Sequence, residues 1–165
     1  MRSPTSTHAE ARSPVIAPHP ADEAERQAAL DELAVLDTHA DPALDALVQA
    51  AAALCGTPIS LVSLVDRQRQ WFKANAGLAG ILETPRDASF CAHAILDSQP
   101  LVVASATEDP RFRDNPLVTG EPHIRFYAGI PLQAPRGQRI GTLCVIDRQP
   151  RKLSAQQMAG LQGLA

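Results

Sequence analysis

The stretch from Asp41 to Val65 constrains the fold more than any other part of this 165-residue sequence. Asp41 is a natural helix N-cap, and Pro42 sits at the first helical position, where its missing N–H costs nothing. Leu44, Leu47, Val48, Ala51 and Leu54 then make one apolar stripe at helical spacing. Gly56 suits the left-handed position that stops such a helix, and Pro58 prevents its resumption. Ile59 to Val65 follows at once, short, apolar and rich in branched residues, the pattern of a buried strand. A polar turn, Asp66 to Arg69, leads into a second strand, Gln70 to Ala74. A helix followed by a hairpin breaks the strand–helix–strand alternation of a parallel sheet and requires antiparallel pairing.

The flanking segments extend this plan. Residues 1–20 hold Pro4, Pro14, Pro18 and Pro20 with small polar residues between them, and are expected to form a disordered, proline-rich lead. The domain is expected to span residues 21–165, opening with a helix that carries Leu30, Leu33 and Leu36 and ends at Asp37-Thr38-His39. After the hairpin, Gly77 and Gly80 open a loop to Asp87, and Ser89 caps a short helix over Phe90–Leu96. Pro100 returns the chain to an extended strand at Leu101–Val103. Thr107 to Pro122 is a long, turn-rich loop, and loops of that length are usually functional. Ile124–Leu132 and Arg139–Asp147 read as an antiparallel pair joined through Pro135, Arg136 and Gly137. Ser154 and Gln157 form a capping box, Leu153 and Met158 a hydrophobic staple, and Leu161 and Leu164 continue the last helix to the end of the sequence. That helix reads as incomplete, continued in a longer protein or paired in a helical dimer. The fold class is α+β, a central antiparallel sheet with terminal helices on one face and loops or short helices on the other.

Composition narrows function. A formal net charge of −3 argues against nonspecific nucleic-acid binding, which needs a basic surface. No apolar run approaches the roughly 20 residues that span a bilayer, and the N-terminus lacks the apolar core of a secretory signal. Cys55, Cys91 and Cys144 are widely spaced and contain no CxxC pair, so neither a structural zinc site nor a disulfide framework is expected. A cytoplasmic protein with reduced thiols fits these facts. No Ser/His/Asp set, phosphate-cradling glycine loop or metal-ligand spacing is present, so no catalytic residue and no metal site is assigned.

Six strings in order carry a resemblance: LDTHADPALDALVQAAAALCGTPISLVSLVD, RQWFKANAGL, SFCAHAILDSQPLVV, DPRFRDNPLVTG, IRFYAGIPL and GTLCVIDRQPRKLS. Together they resemble the GAF domain, and more closely the N-terminal GAF modules of bacterial sensor histidine kinases and diguanylate cyclases, over about Leu30 to Ala165. The resemblance implies a sheet of about six strands, helices behind it, and a small-molecule pocket between the other face and the loops. It also implies a homodimer formed through the terminal helices and a two-component or related signalling output, a histidine kinase or diguanylate cyclase, encoded downstream. A ligandless dimerisation module and a stand-alone free-methionine-(R)-sulfoxide reductase are the alternatives.

The candidate ligand-binding residues are Trp71, Arg86, Cys91, His93, Asp109, Arg125, Phe126 and Tyr127. Arg86 offers a guanidinium for an anionic group, while Cys91 and His93 place a thiol and an imidazole close behind it. The plainer reading has Cys91 packing as a small hydrophobe and His93 bonded to a backbone carbonyl. Asp109, with Arg111, either contacts a ligand from a lid or clamps a rigid surface loop. Alternation separates Phe126 from Arg125 and Tyr127, and Trp71 from Phe72, so one of each set is expected at the pocket. Bilin attachment in photoreceptor relatives uses a Cys followed by His, whereas Ala92 follows Cys91 here, and bilin is disfavoured. Haem needs an axial His in an apolar cavity; only His93 and His123 lie centrally, and His123 adjoins Pro122 in a turn, so haem is disfavoured too. The asparagine-lysine-phenylalanine signature of cyclic-nucleotide-binding relatives is absent. The reductase chemistry needs resolving thiols near a nucleophilic one, and no cysteine lies between Cys91 and Cys144.

Overall fold

A computed structural model describes residues 12–165; the first half of the expected disordered lead lies outside the described residues. Residues 12–20 run without regular structure along the domain, where Ala17 is buried in the core and the Val15 carbonyl lies 3.4 Å from His93 Nε2.

Six antiparallel strands form one sheet in the order β3-β2-β1-β6-β5-β4. They are β1 (Ile59–Val65), β2 (Arg69–Ala76), β3 (Glu83–Pro85), β4 (Leu101–Val103), β5 (Phe126–Gln133) and β6 (Arg139–Asp147). The helices are α1 (Glu23–Leu33), α2 (Pro42–Cys55), α3 (Phe90–Ala94), α4 (Pro116–Thr119) and α5 (Ala155–Leu164). The α+β reading holds, and the chain adds two short elements inside stretches that read as loops: β3, and α4 with Asn115 as its cap.

Local chemistry sets the boundaries. Asp41 Oδ1 accepts the Ala43 N–H at 2.9 Å, and Gly56 closes α2 with φ of 65°. Helix α1 stops earlier than its leucine spacing predicts, because Ala34 turns left-handed (φ 49°) and takes Leu36 out of the helix. The capping box of α5 forms in both directions.

The sheet separates two cores. On one face Val48, Ala51 and Cys55 of α2 and Leu161 of α5 pack on Val62, Ala74, Phe126, Leu143 and Val145. Helix α1 closes the end of this layer over Leu64, Trp71, Ala134 and Ile140. The opposite face carries α3 and the segment from 104 to 125, packed on Leu61, Phe72, Tyr127, Cys144 and Ile146. One irregularity in β2 serves both layers. Val62 pairs with Ala74 and Ser63 with Phe72, so Lys73 is an extra residue that lets Phe72 and Ala74 face opposite sides.

Candidate functional site

An apolar cavity of about 110 Å³ lies between the α3 face of the sheet and the segment from 104 to 125. Leu61, Phe72 and Ile146 form its floor, Leu78 and Ile81 of the loop after β2 one wall, and Phe90, Cys91 and Tyr127 the other. Leu117, Glu121, Pro122 and Ile124 close it from above.

This cover is held at several points. Asn115, almost fully buried, donates from Nδ2 to the Ala88 carbonyl at 3.1 Å and accepts the Leu117 N–H at 2.8 Å, so it caps α4 and ties the cover to the 3₁₀ turn Arg86–Ala88 that precedes α3. Arg125 donates to the Val118 and Ile124 carbonyls at 2.9 and 3.1 Å. Phe112 stacks on Phe90 with ring centres 4.1 Å apart and planes 7° from parallel. The cover is therefore an ordered part of the core.

Two polar groups interrupt the apolar walls. The Gln70 amide oxygen accepts from Ser63 Oγ at 3.1 Å and Ser89 Oγ at 2.8 Å, and its Nε2 donates to Thr84 Oγ1 at 2.5 Å. Both oxygen lone pairs are engaged and one amide N–H is left for a guest. The second group is built around Cys91. Tyr127 Oη donates to Cys91 Sγ at 3.3 Å, Thr142 Oγ1 lies 3.1 Å from the same sulfur, and Cys144 stands two residues from Thr142 on the same strand face. Tyr127 reaches this sulfur by lying flat over Gly129, where any side chain would collide with its ring. Hydrogen bonds from Cys144, Thr142 and Tyr127 favour the Cys91 thiolate against the cost of burial and move its pKa down. Cys144 is pushed up by its bond to Cys91 and by burial, and Tyr127 by burial and the two thiols.

Of the eight residues expected at the pocket, Cys91 and Tyr127 border this cavity. Trp71 packs over Leu64 and Leu30 on the far side of the sheet, and its neighbour Phe72 faces the cavity instead. Phe126 likewise packs against the helical layer. Arg86 is buried, but its guanidinium turns away: it bonds Glu23 at 2.5 and 3.2 Å and the Asp66 carbonyl at 3.1 Å. The anion it meets is therefore the protein's own. Burial would raise the Glu23 carboxyl, but hydrogen bonds from Arg26, Arg86 and Gln27 outweigh it and hold it well below the usual carboxylate range. His93 points outward against the edge of Phe112, at 4.8 Å between ring centres, and burial moves its pKa down. Asp109 is engaged by Arg111 at 2.7 Å, and Arg125 acts on the cover from outside. Among the described residues, no three His, Cys, Asp or Glu side chains converge as metal ligands would.

Leu61, Gln70 and Ile124 are cavity residues that the sequence reading omits, and Phe72 takes the place that it gave to Trp71. The alternation of Ile59–Val65 marks Leu61 and Val62 as facing opposite ways, but nothing in one strand says which face lies under the cover.

A sheet with a helical layer on one side and a covered apolar cavity on the other is the arrangement that the resemblance implies. The model of the GAF domain family matches residues 39–165. The chain belongs to the GAF domain family. It is 52% identical over 149 residues to a cyclic di-GMP phosphodiesterase of Pseudomonas aeruginosa, a match covering 90% of this chain and 25% of that protein. The chain thus spans about a quarter of the length of that relative. Among solved structures, it superposes on the GAF domain of an Acinetobacter phosphoenolpyruvate-protein phosphotransferase with a TM-score of 0.62. Identity there is 20%, over 84% of each chain. A type II free methionine-R-sulfoxide reductase from Thermoplasma acidophilum gives 0.61 at 14% identity, over 82% of this chain and 89% of that one. At such identities the likeness concerns the GAF fold alone.

Proposed function

We propose that this GAF domain is a sensory module whose cavity takes a small, mainly apolar molecule and thereby controls an attached signalling domain. The enclosed, covered cavity carries the reading. Its volume of about 110 Å³ falls somewhat short of the about 150 Å³ of a dry apolar cavity that holds benzene. It is well below the roughly 300 Å³ at which drug-sized pockets begin. The fitting ligand is a compact molecule of a few heavy atoms with one acceptor for the free Gln70 N–H. A cyclic nucleotide is too large unless the cover lifts.

The output is inferred from the Pseudomonas relative, whose name places it in cyclic di-GMP hydrolysis. An output acting on cyclic di-GMP is favoured over the histidine kinase that the sequence resemblance also allows. Signal transfer would run through α2 and α5, whose apolar faces rest on the other side of the cavity's own strands. Pairing of two copies through the terminal helices, and a cytoplasmic setting, belong to this proposal; among the described residues no helix is long and apolar enough to cross a membrane.

The test is a thermal-shift screen with small neutral compounds, benzene serving as the size probe. Binding at a hundredfold excess over Kd adds about 2.7 kcal/mol, which for a chain of this size raises Tm by about 5–11 °C. Leu78→Phe, which pushes a larger side chain from the wall into the cavity, should abolish the shift. If no compound of this size moves Tm, ligand sensing at the cavity is refuted.

A further inference from the structure

We propose that Cys91 and Cys144 form a peroxide-oxidisable thiol pair, with Cys91 as the attacking sulfur and Cys144 as the resolving one. Three observations converge on it. Cys91 is shielded from bulk solvent yet borders the cavity, so a small uncharged reagent inside the cavity is brought up against this residue. The Tyr127 hydroxyl at 3.3 Å and the Thr142 hydroxyl at 3.1 Å surround that sulfur with groups able to donate to a thiolate. Cys144 pairs with Gly129, over which Tyr127 lies, and stands two residues from Thr142 on the same face of β6, so it neighbours the site where the Cys91 sulfur meets both hydroxyls. Fifty-two residues separate the two in sequence, and α3 lying on the sheet brings them together.

The remaining thiol supplies the contrast. Cys55 is equally buried, but it sits in the helical layer away from the cavity, and burial pushes its thiol up. The pair differs in sign: its hydrogen bonds favour ionisation of Cys91 before Cys144.

The apolar walls select the oxidant class. Hydrogen peroxide or a small alkyl hydroperoxide is neutral and fits the space. The Cys91 thiolate attacks one peroxide oxygen, the O–O bond breaks, and the departing alkoxide or hydroxide takes a proton to leave as alcohol or water. Cys91 is then a sulfenic acid. Cys144 sulfur attacks it, an S–S bond forms, the S–O bond breaks, and water leaves. Two thiols have lost two electrons and two protons, and the peroxide has become two waters, or one alcohol and one water where it is an alkyl hydroperoxide.

The proposal stands apart from ligand sensing, since it is read on the thiols themselves. The folded 165-residue chain is treated with equimolar hydrogen peroxide, quenched with an alkylating agent in denaturant, and mapped by mass spectrometry. We expect a Cys91–Cys144 disulfide to form at least about tenfold faster than any modification of Cys55. In Cys144→Ser, a dimedone adduct should accumulate on Cys91. Tyr127→Phe, which removes one hydroxyl and little volume, should slow the reaction. Equal oxidation of Cys55 and Cys91, or the absence of a Cys91–Cys144 bond in the folded wild-type protein, overturns the assignment. Because the wild-type map needs no variant, a substitution that fails to fold cannot obscure it.

Discussion

Glu23→Gln is the sharpest test of how α1 is fastened. Glu23 sits at the first position of α1 with its side chain 19% exposed, between two buried guanidinium groups. Arg26, fully buried, bonds it through Nε and Nη2, both at 2.9 Å, and sends Nη1 to the Val65 carbonyl at 2.7 Å. Arg86 bonds the same carboxylate from the 3₁₀ turn Arg86–Ala88, 63 residues along the chain. Removing the shared anion leaves both cations buried with only carbonyl partners, and breaking a buried ion pair on one side costs about 3–5 kcal/mol. For a domain of this size that lowers Tm by about 6–20 °C.

Urea denaturation gives the free energy. Arg67→Gln, which removes the exposed pair with Asp31, is the control expected to leave the midpoint nearly unmoved. The pH dependence adds a second reading. The Glu23 carboxyl is depressed in the folded state, so its contribution is complete above the unfolded glutamate value of about 4.3. It is lost as pH falls below that toward the folded value. Glu23→Gln should flatten this part of the acid limb. A loss no larger than that of Arg67→Gln, with the acid limb unchanged, would refute the reasoning.

Two further outcomes concern the cavity and the sheet. Phe112→Ala removes the ring stacked on Phe90 and should cost about 3–5 kcal/mol in urea denaturation, since Phe112 is fully buried under the cover. Gly141→Ala would drive its new methyl into the backbone of Ser63 and Leu64 at the β1–β6 pairing, where nothing flexible can yield. It should cost more than about 3 kcal/mol, the upper end of ordinary overpacking, and calorimetry should show a lower Tm or no transition.

The fold was legible where the chain carries its own stop and start signals. Asp41-Pro42 and Gly56-Thr57-Pro58 bracket α2, and Ser154 with Gln157 starts α5, because capping is local chemistry that sequence spacing displays. Strand β3 was not legible: it has three residues, includes Pro85, and exists only because Arg69, Gln70 and Trp71 offer it an edge. The site was half legible for a related reason. Arg86, Cys91 and His93 look like one cluster in a linear reading, but a 3₁₀ turn and a short helix fan them apart. Arg86 meets α1, Cys91 the cavity, and His93, two residues further round the helix, faces outward. The partner that claims Arg86 lies far upstream, where no spacing rule connects them. Trp71 and Phe72 could be set on opposite faces from alternation, yet the extra residue at Lys73 breaks the parity that links them to Ala74 and Ala76.

That extra residue fixes how far apart the two cores are. Phe72 touches the cavity and Ala74 touches α2, with a single residue between them on one strand. The covalent distance from guest to helical layer is thus about two residue steps, roughly 7 Å of extended backbone. Without the bulge, Phe72 and Ala74, two positions apart, would share one face, so that a bulky ring had to enter the helical layer or a methyl had to floor the cavity. The strand would then be in frame for one core and out of frame for the other.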